Sequence, residues 1–298
     1  MGYKAVSMSK PVFLYPELTA KKAAAIRNLL RDKKVRDAER AFVLEGRKPI
    51  LELLRTHASA LLEIAVARSV LERGDPAVTQ ALAHVKVPVS LCRDQAFDQI
   101  SAVTTGQGML AIVRKIEWDE AAILGRPQVL GIFGEAIQDP TNVGAIVRTA
   151  LAFGVDGLWL TAESADVYGP KVVRGTAGAI MKLPTFVGQS GDALLERFAR
   201  QHCAVLAADP SSRRTVSIRD IGSIPARAVL AFGNESRGLS EAVLKRAAIR
   251  FHIPVSRGVE SLNVAASAAI AAFYFSALPK ESAGEGREAA KRLGGVRR

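Results

Sequence analysis

The segments VLGIFGE (129–135), GLWLT (157–161), AVLAAD (204–209) and AVLAFGNE (228–235) run apolar without relief, and helix-patterned sequence separates them. A strand with one face in water alternates apolar and polar residues, whereas a strand that is apolar throughout needs cover on both faces. Helices between such strands serve as crossovers. Residues 128–278 are therefore expected to form an α/β unit, a mostly parallel sheet flanked by helices. FHIPV (251–255) reads as its last strand and the alanine-rich stretch from Glu260 to Leu278 as its closing helix. That stretch is too short, and too interrupted by Ser267 and Ser276, for a confident membrane span.

At 298 residues the chain is long for one core, so a second domain is expected. Upstream, helical KKAAAIRNLLRD, strand-like AFVLEG, helical KPILELLRTH and the strands LLEIAVA, VPVSLC and GMLAIVRK alternate through short connections. This pattern predicts a small α/β domain over 20–115, after an N-terminal extension at 1–19. The mixed segment 116–127, with its Gly-Arg-Pro breaker, reads as a linker, and the Gly- and charge-rich residues 279–298 as a flexible basic tail.

Forty-one Lys and Arg face 29 Asp and Glu, a net charge of +12. Between Lys21 and Lys48 ten cations meet four acids. A solvated helix face accounts for such a tract equally well on patterning alone. Its apolar positions are too sparse for a helix lying on a membrane, so nucleic acid is the better functional partner, with Lys33, Lys34, Arg36 and Arg47 as contacts. Cys92 and Cys203 stand apart without CxxC or histidine neighbours, which fits a reducing cytoplasm and no metal site. The first twenty residues lack a continuous apolar run after a basic start, so no signal peptide is expected. Neither GxGxxG, a P-loop nor a GxSxG elbow is present.

Three polar insertions interrupt the apolar pattern at strand ends: DPTNVGAIVRTALAFG (139–154), GNESRGLS (233–240) and IPVSRGVESLNVAA (253–266). Each alone reads as a loop with a helix cap; Asn142, Asn234 or Ser240, and Ser261 or Asn263 all qualify. In a parallel sheet, such loops also line the crevice where ligands bind.

Together the three segments resemble the SpoU (TrmH) family of RNA ribose 2′-O-methyltransferases, within the SPOUT superfamily. The resemblance is specific over Gln128–Leu278. It extends more weakly upstream, where RDKKVRDAERAFVLEGRKPILELL and ISAVTTGQGMLAIV look like the substrate-binding domain, similar to small ribosomal RNA-binding proteins, that many members carry. GPKVVRGTAGAIMKLP matches the family's middle segment and adds Lys171 and Arg174 as RNA contacts. Thr141 and Thr176 depart from frequent glycine and serine.

The resemblance implies a trefoil-knotted sheet, a homodimer and S-adenosylmethionine as cofactor, held around Gly233, Asn234, Ile253 and Leu262. It implies a catalytic set of Arg148, Asn142, Ser261, Glu235 and Asn263. Asn142 and Ser261 would orient the ribose or Arg148, and Asn263 and Glu235 would brace the pocket, Glu235 also facing the sulfonium. Arg148 is the family's candidate for helping the 2′-OH, although a guanidinium is ordinarily protonated, so its role stays open. The implied substrate is RNA, with 23S ribosomal RNA favoured by the added N-terminal domain. Transfer RNA methylation and a non-catalytic RNA-binding scaffold are the alternatives, and neither a metal nor a membrane is implied.

Overall fold

The computed structural model describes residues 15–103, 106–210, 215–256, 258–259 and 261–281. The expected N-terminal extension and basic tail fall mostly outside these residues.

The N-terminal part begins with α1 (Ala20–Arg31) and α2 (Lys33–Ala38). Asp32 separates them: its extended backbone ends α1, and its carboxylate accepts from the Lys34 N–H at 2.7 Å to cap α2. A four-stranded sheet follows, in the order β1-β4-β2-β3, from β1 (Ala41–Glu45), β2 (Leu61–Ala67), β3 (Val89–Cys92) and β4 (Met109–Arg114). Strand β4 is antiparallel to β1 and β2, while β2 and β3 are parallel. Helices α3 (Arg47–Thr56), α4 (Arg68–Glu72), α5 (Pro76–His84) and α6 (Asp94–Asp98) occupy the connections.

Residues 116–127 are more than a linker. They carry α7 (Glu120–Leu124), whose Ile123 and Leu124 are buried with Phe133 and Trp159. Glu120 also accepts from the Trp159 indole N–H at 2.7 Å and pairs with Arg197. Two apolar residues spaced for burial and one carboxylate opposite an indole outweigh the polar composition.

The C-terminal part is built on seven strands: β5 (Val129–Gly134), β6 (Gly157–Thr161), β7 (Thr185–Gln189), β8 (Ala204–Ala208), β9 (Val216–Ser217), β11 (Arg227–Phe232) and β12 (Ile249–His252). A separate parallel pair joins β10 (Ile224–Pro225) to β13 (Lys280–Glu281). The large sheet has the order β7-β6-β5-β11-β8-β12-β9, and every pairing in it is parallel. Strand β12 ends at His252, earlier than the expected FHIPV, because Pro254 has no N–H for the ladder. The two-residue strand period assigns side chains to opposite faces. Leu130, Ile132, Leu158, Leu160 and Leu230 point to one core, and Phe133, Trp159, Val229, Ala231 and Val205 to the other.

The first face is covered by α8 (Pro140–Ala152), α9 (Pro170–Gly175) and α12 (Val264–Ser276), with α8 packed against both others. Close approach between α8 and α9 needs glycine: a Cβ on Gly144 would lie 3.1 Å from the Gly175 Cα. In α12, Ala268, Ala271 and Ala272 are fully buried. The second face is covered by α10 (Gly191–Arg200) and α11 (Glu241–Arg246).

The two sheets share a core, in which Phe42 of β1 meets Tyr168 with ring centroids 5.1 Å apart. Arg36 corrects the sequence reading here. Expected to contact RNA, it is 5% exposed; its Nη2 and Nε reach Asp166 at 2.6 and 2.9 Å, and its Nη1 donates to the Leu29 carbonyl at 2.6 Å. A guanidinium withdrawn from water needs partners for its donors, and these are protein groups. Arg36 therefore joins the two parts of the chain and leaves nothing for a phosphate.

Candidate active site

The loops after β5, β11 and β12 leave the same end of the sheet, where a parallel architecture leaves a crevice. The first loop starts at Glu135 and turns through Ala136, whose φ of 54° is in the left-handed region. Such a conformation costs an alanine on the order of 1–2 kcal/mol. Two contacts hold it there: the Ala136 N–H donates to Thr161 Oγ1, and its carbonyl accepts from Asn234 Nδ2, both at 2.9 Å.

Asp139 caps α8 through the Thr141 N–H at 2.7 Å, with Pro140 in the first turn. Asn142, one of the residues expected to cap, is thereby released. It is 6% exposed on the inward side of α8 and carries a different load. Its Nδ2 donates to Glu235 Oε1 at 2.8 Å, and its Oδ1 accepts from Asn263 Nδ2 at 2.9 Å. Asn263 is the cap of α12, its Oδ1 accepting from the N–H groups of Ala265 and Ala266 at 2.9 and 3.2 Å. Ser261 lies outside the helix and exposed. One amide orientation satisfies every partner: the caps claim the oxygen of Asn263, and the carboxylate claims the NH2 of Asn142.

Glu235 also faces the N–H groups of Gln138 and Asp139 at 3.4 Å each. Partial burial acts to raise its carboxyl, but the hydrogen bonds from Asn142 and these backbone groups outweigh it and hold the carboxyl below its ordinary 4.5. Asp139 is likewise held below 3.8, first by the Thr141 hydrogen bonds, with a smaller contribution from Lys171, whose Nζ lies 3.7 Å away.

The second loop closes on itself between Asn234 and Gly238. A Cβ on Gly233 would sit 2.2 Å from the Gly238 carbonyl carbon, so glycine is required. Asn234 Oδ1 accepts from the N–H groups of Ser236 and Arg237 at 3.0 and 3.2 Å, so much of its hydrogen-bonding capacity goes to shaping this loop. Sequence reasoning missed Glu135, which accepts from both the N–H and Oγ of Ser240, at 2.7 and 2.8 Å. The only cue was a carboxylate at the end of an apolar strand.

Arg148 lies six residues beyond Asn142, about 9 Å along the axis of α8. It is exposed and has no hydrogen-bond or ion-pair partner among the described residues. Ile253 and Leu262, at the two ends of the third loop, are half-buried. These apolar groups suit a purine, and an ionised carboxylate nearby suits a sulfonium cation, so the residues fit the implied cofactor. Lys33, Lys34 and Arg174 are exposed, their side chains unpaired among the described residues, whereas Arg47 is half-exposed and pairs with Asp75 at 3.0 Å. Among the described residues, no cluster of His, Cys, Asp or Glu could hold a metal, and no helix is long and apolar enough to cross a membrane.

The chain thus has two parts, a parallel sheet with three polar loops gathered at one end and a smaller α/β domain rich in Lys and Arg. Residues 130–273 match the SpoU rRNA methylase family, and residues 24–111 match the MRM3-like substrate binding domain. A protein of Synechocystis sp. described as an uncharacterized tRNA/rRNA methyltransferase is 32% identical over 74% of this chain and 82% of its own length. The 23S rRNA (guanosine(2553)-2′-O)-methyltransferase RlmP of Bacillus subtilis is 24% identical over 82% and 92%, respectively. The AdoMet-bound rRNA methyltransferase of Sinorhizobium meliloti superposes with a TM-score of 0.74 at 25% identity, covering 87% of this chain and 95% of that one. The chain belongs to the SpoU rRNA methylase family and is an RNA methyltransferase of that type.

Proposed function

We propose that the protein transfers a methyl group from S-adenosylmethionine to a ribose 2′-hydroxyl of large-subunit ribosomal RNA. The observation that carries this reading is the chain of hydrogen bonds from Glu235 through Asn142 to Asn263, which ties the three loops into one wall. S-adenosylmethionine, when bound, supplies an electrophilic methyl group. Ile253, Leu262 and the backbone around Gly233 would hold it. The remaining work falls to this chain's own side chains.

Asn142 and Asn263 fix the entrance of α8 relative to that of α12, and so fix where Arg148 stands. Its guanidinium holds the target phosphate or stabilises negative charge growing on the 2′-oxygen. Ser261 orients the ribose, a role its exposure at the third loop supports. Lys33, Lys34, Arg174 and, more weakly, Arg47 and Lys171 grip the RNA backbone. Substrate in the large ribosomal subunit is supported by the N-terminal domain and by the named activity of the Bacillus relative.

Insertion of β11 between the earlier strands β5 and β8 supports the implied trefoil knot. Homodimerisation is supported by an apolar face on α8 and α12. There Phe273 is 63% and Ile270 40% exposed, and Phe273 rests against Phe153 with centroids 5.6 Å apart. Cys92 and Cys203, free and buried, are compatible with a cytoplasmic setting.

The test is transfer of labelled methyl from S-adenosylmethionine to total RNA, followed by mapping of alkali-resistant ribose positions. Label in 23S rRNA supports the proposal. Label confined to transfer RNA moves the substrate, and no label in any RNA, with RNA binding intact, leaves a scaffold.

A further inference from the structure

A roomy cavity lies away from these loops, in the N-terminal domain. A groove of about 790 Å³ runs between the C-terminal halves of α3 and α5 and the segment leading to β3. Its floor is aliphatic, with Leu51, Leu54 and Val87 half-buried along it. Among the described residues, Arg55 and Lys86 line its rim, exposed and without side-chain partners, and neither Asp nor Glu lines it. His84 also lines it; its Nδ1 donates to the Gln80 carbonyl at 2.8 Å, which turns Nε2 away from the helix backbone.

We infer that this groove is a second RNA site, which receives unstacked nucleotides of the substrate outside the methylated position. The inference rests on the RNA-methyltransferase reading and extends it to how the substrate is held. Charge complementarity selects the occupant: two free cations with no opposing carboxylate suit a phosphate backbone, whereas an apolar peptide would leave them unused. The aliphatic floor takes the faces of bases, and the exposed Gln80 amide and His84 Nε2 can address their edges. On its other side, α3 pairs Glu52 with Lys182 of the C-terminal part, so RNA seated here is held by a helix fixed to the catalytic half.

The test is binding of single-stranded oligouridylate to the full-length protein across a salt series, for wild type, Lys86→Glu and Ala81→Phe. Ala81 lines the groove from α5, and phenylalanine there fills it. Ala81→Phe should weaken binding about tenfold, an effect the size of one lost base contact. Lys86→Glu should weaken binding and lower the salt slope by roughly 0.7, one single-strand phosphate contact. Lys86 is exposed, so its variant reports even if Ala81→Phe fails to fold. Wild-type affinity and slope in Lys86→Glu overturn the inference. So does a change of oligomeric state in Ala81→Phe with RNA binding intact, which would assign the groove to a second copy. These titrations need no methyl transfer, so loss of the catalytic reading and loss of this one are read separately.

Discussion

The side-chain amide of Asn263 donates to Oδ1 of Asn142 across 2.9 Å, although 121 residues separate them in the chain. Asn263 is at the same time the cap of α12, and Asn142 the donor to Glu235. Replacing Asn142 with alanine leaves a carboxylate short of a donor and an amide without its acceptor. A stability loss of about 2 kcal/mol is expected. Asn142→Asp should be worse for activity, since it sets two carboxylates at hydrogen-bond distance. Denaturant unfolding together with methyl transfer checks both, and an Asn142→Asp protein with wild-type turnover would remove the relay from the mechanism.

Glu235 links this relay to pH. Its carboxyl is held lower in the folded protein than its ordinary 4.5, so the folded state favours the ionised form. The associated stability is therefore complete above the unfolded value and is lost as pH falls through the lower folded one. Unfolding free energy followed from pH 6 down to pH 3 should fall less steeply in Glu235→Gln than in wild type. Parallel curves would show that Glu235 gains nothing from its partners.

Glu135 and Glu235 clamp the first two loops reciprocally. Glu135, on the first loop, holds Ser240 of the second; Glu235, on the second, faces Gln138 and Asp139 of the first. Ser240 also caps α11. Ser240→Ala should cost about 1 kcal/mol through the lost cap. Glu135→Gln should loosen the second loop by turning an N–H donor toward Ser240. Amide exchange at Ser236–Ser240 should accelerate in Glu135→Gln, and unchanged exchange would refute the clamp.

Much of this architecture was legible because it follows from local patterns. The period and length of LLEIAVA and GLWLT match β2 and β6 to the residue, since short apolar runs between helical segments leave few alternatives. The motif resemblance brought Asn142, Glu235 and Asn263 together. It could not say that Asp139 takes the cap of α8 and frees Asn142 for a neighbour, because that choice depends on what stands across the crevice. Long-range pairing was equally hidden: nothing in GIFGE marks Glu135 for Ser240, 105 residues on. Charge counting failed at Arg36 for the same reason, since a cation buried against Asp166 and one exposed to solvent look alike in sequence.

That distinction yields the sharpest contrast among the basic residues. Arg36 and Lys33 lie three positions apart, one buried with its partner and the other exposed. Truncating Arg36 strands the Asp166 carboxylate, whose side chain is 18% exposed, and leaves the Leu29 carbonyl without its donor. Arg36→Ala should therefore destabilise by about 3 kcal/mol, the lower end of the range for half of a buried pair. Lys33→Ala/Lys34→Ala should leave stability within about 0.5 kcal/mol, as surface substitutions do. The same double variant should weaken RNA binding and flatten its salt dependence, by up to about 1.4 in slope on single-stranded RNA if both lysines neutralise phosphates. Thermal unfolding and salt-titrated RNA binding, measured on both proteins, should separate the two effects. A Lys33/Lys34 variant with unchanged salt slope would return this tract to an ordinary solvated surface.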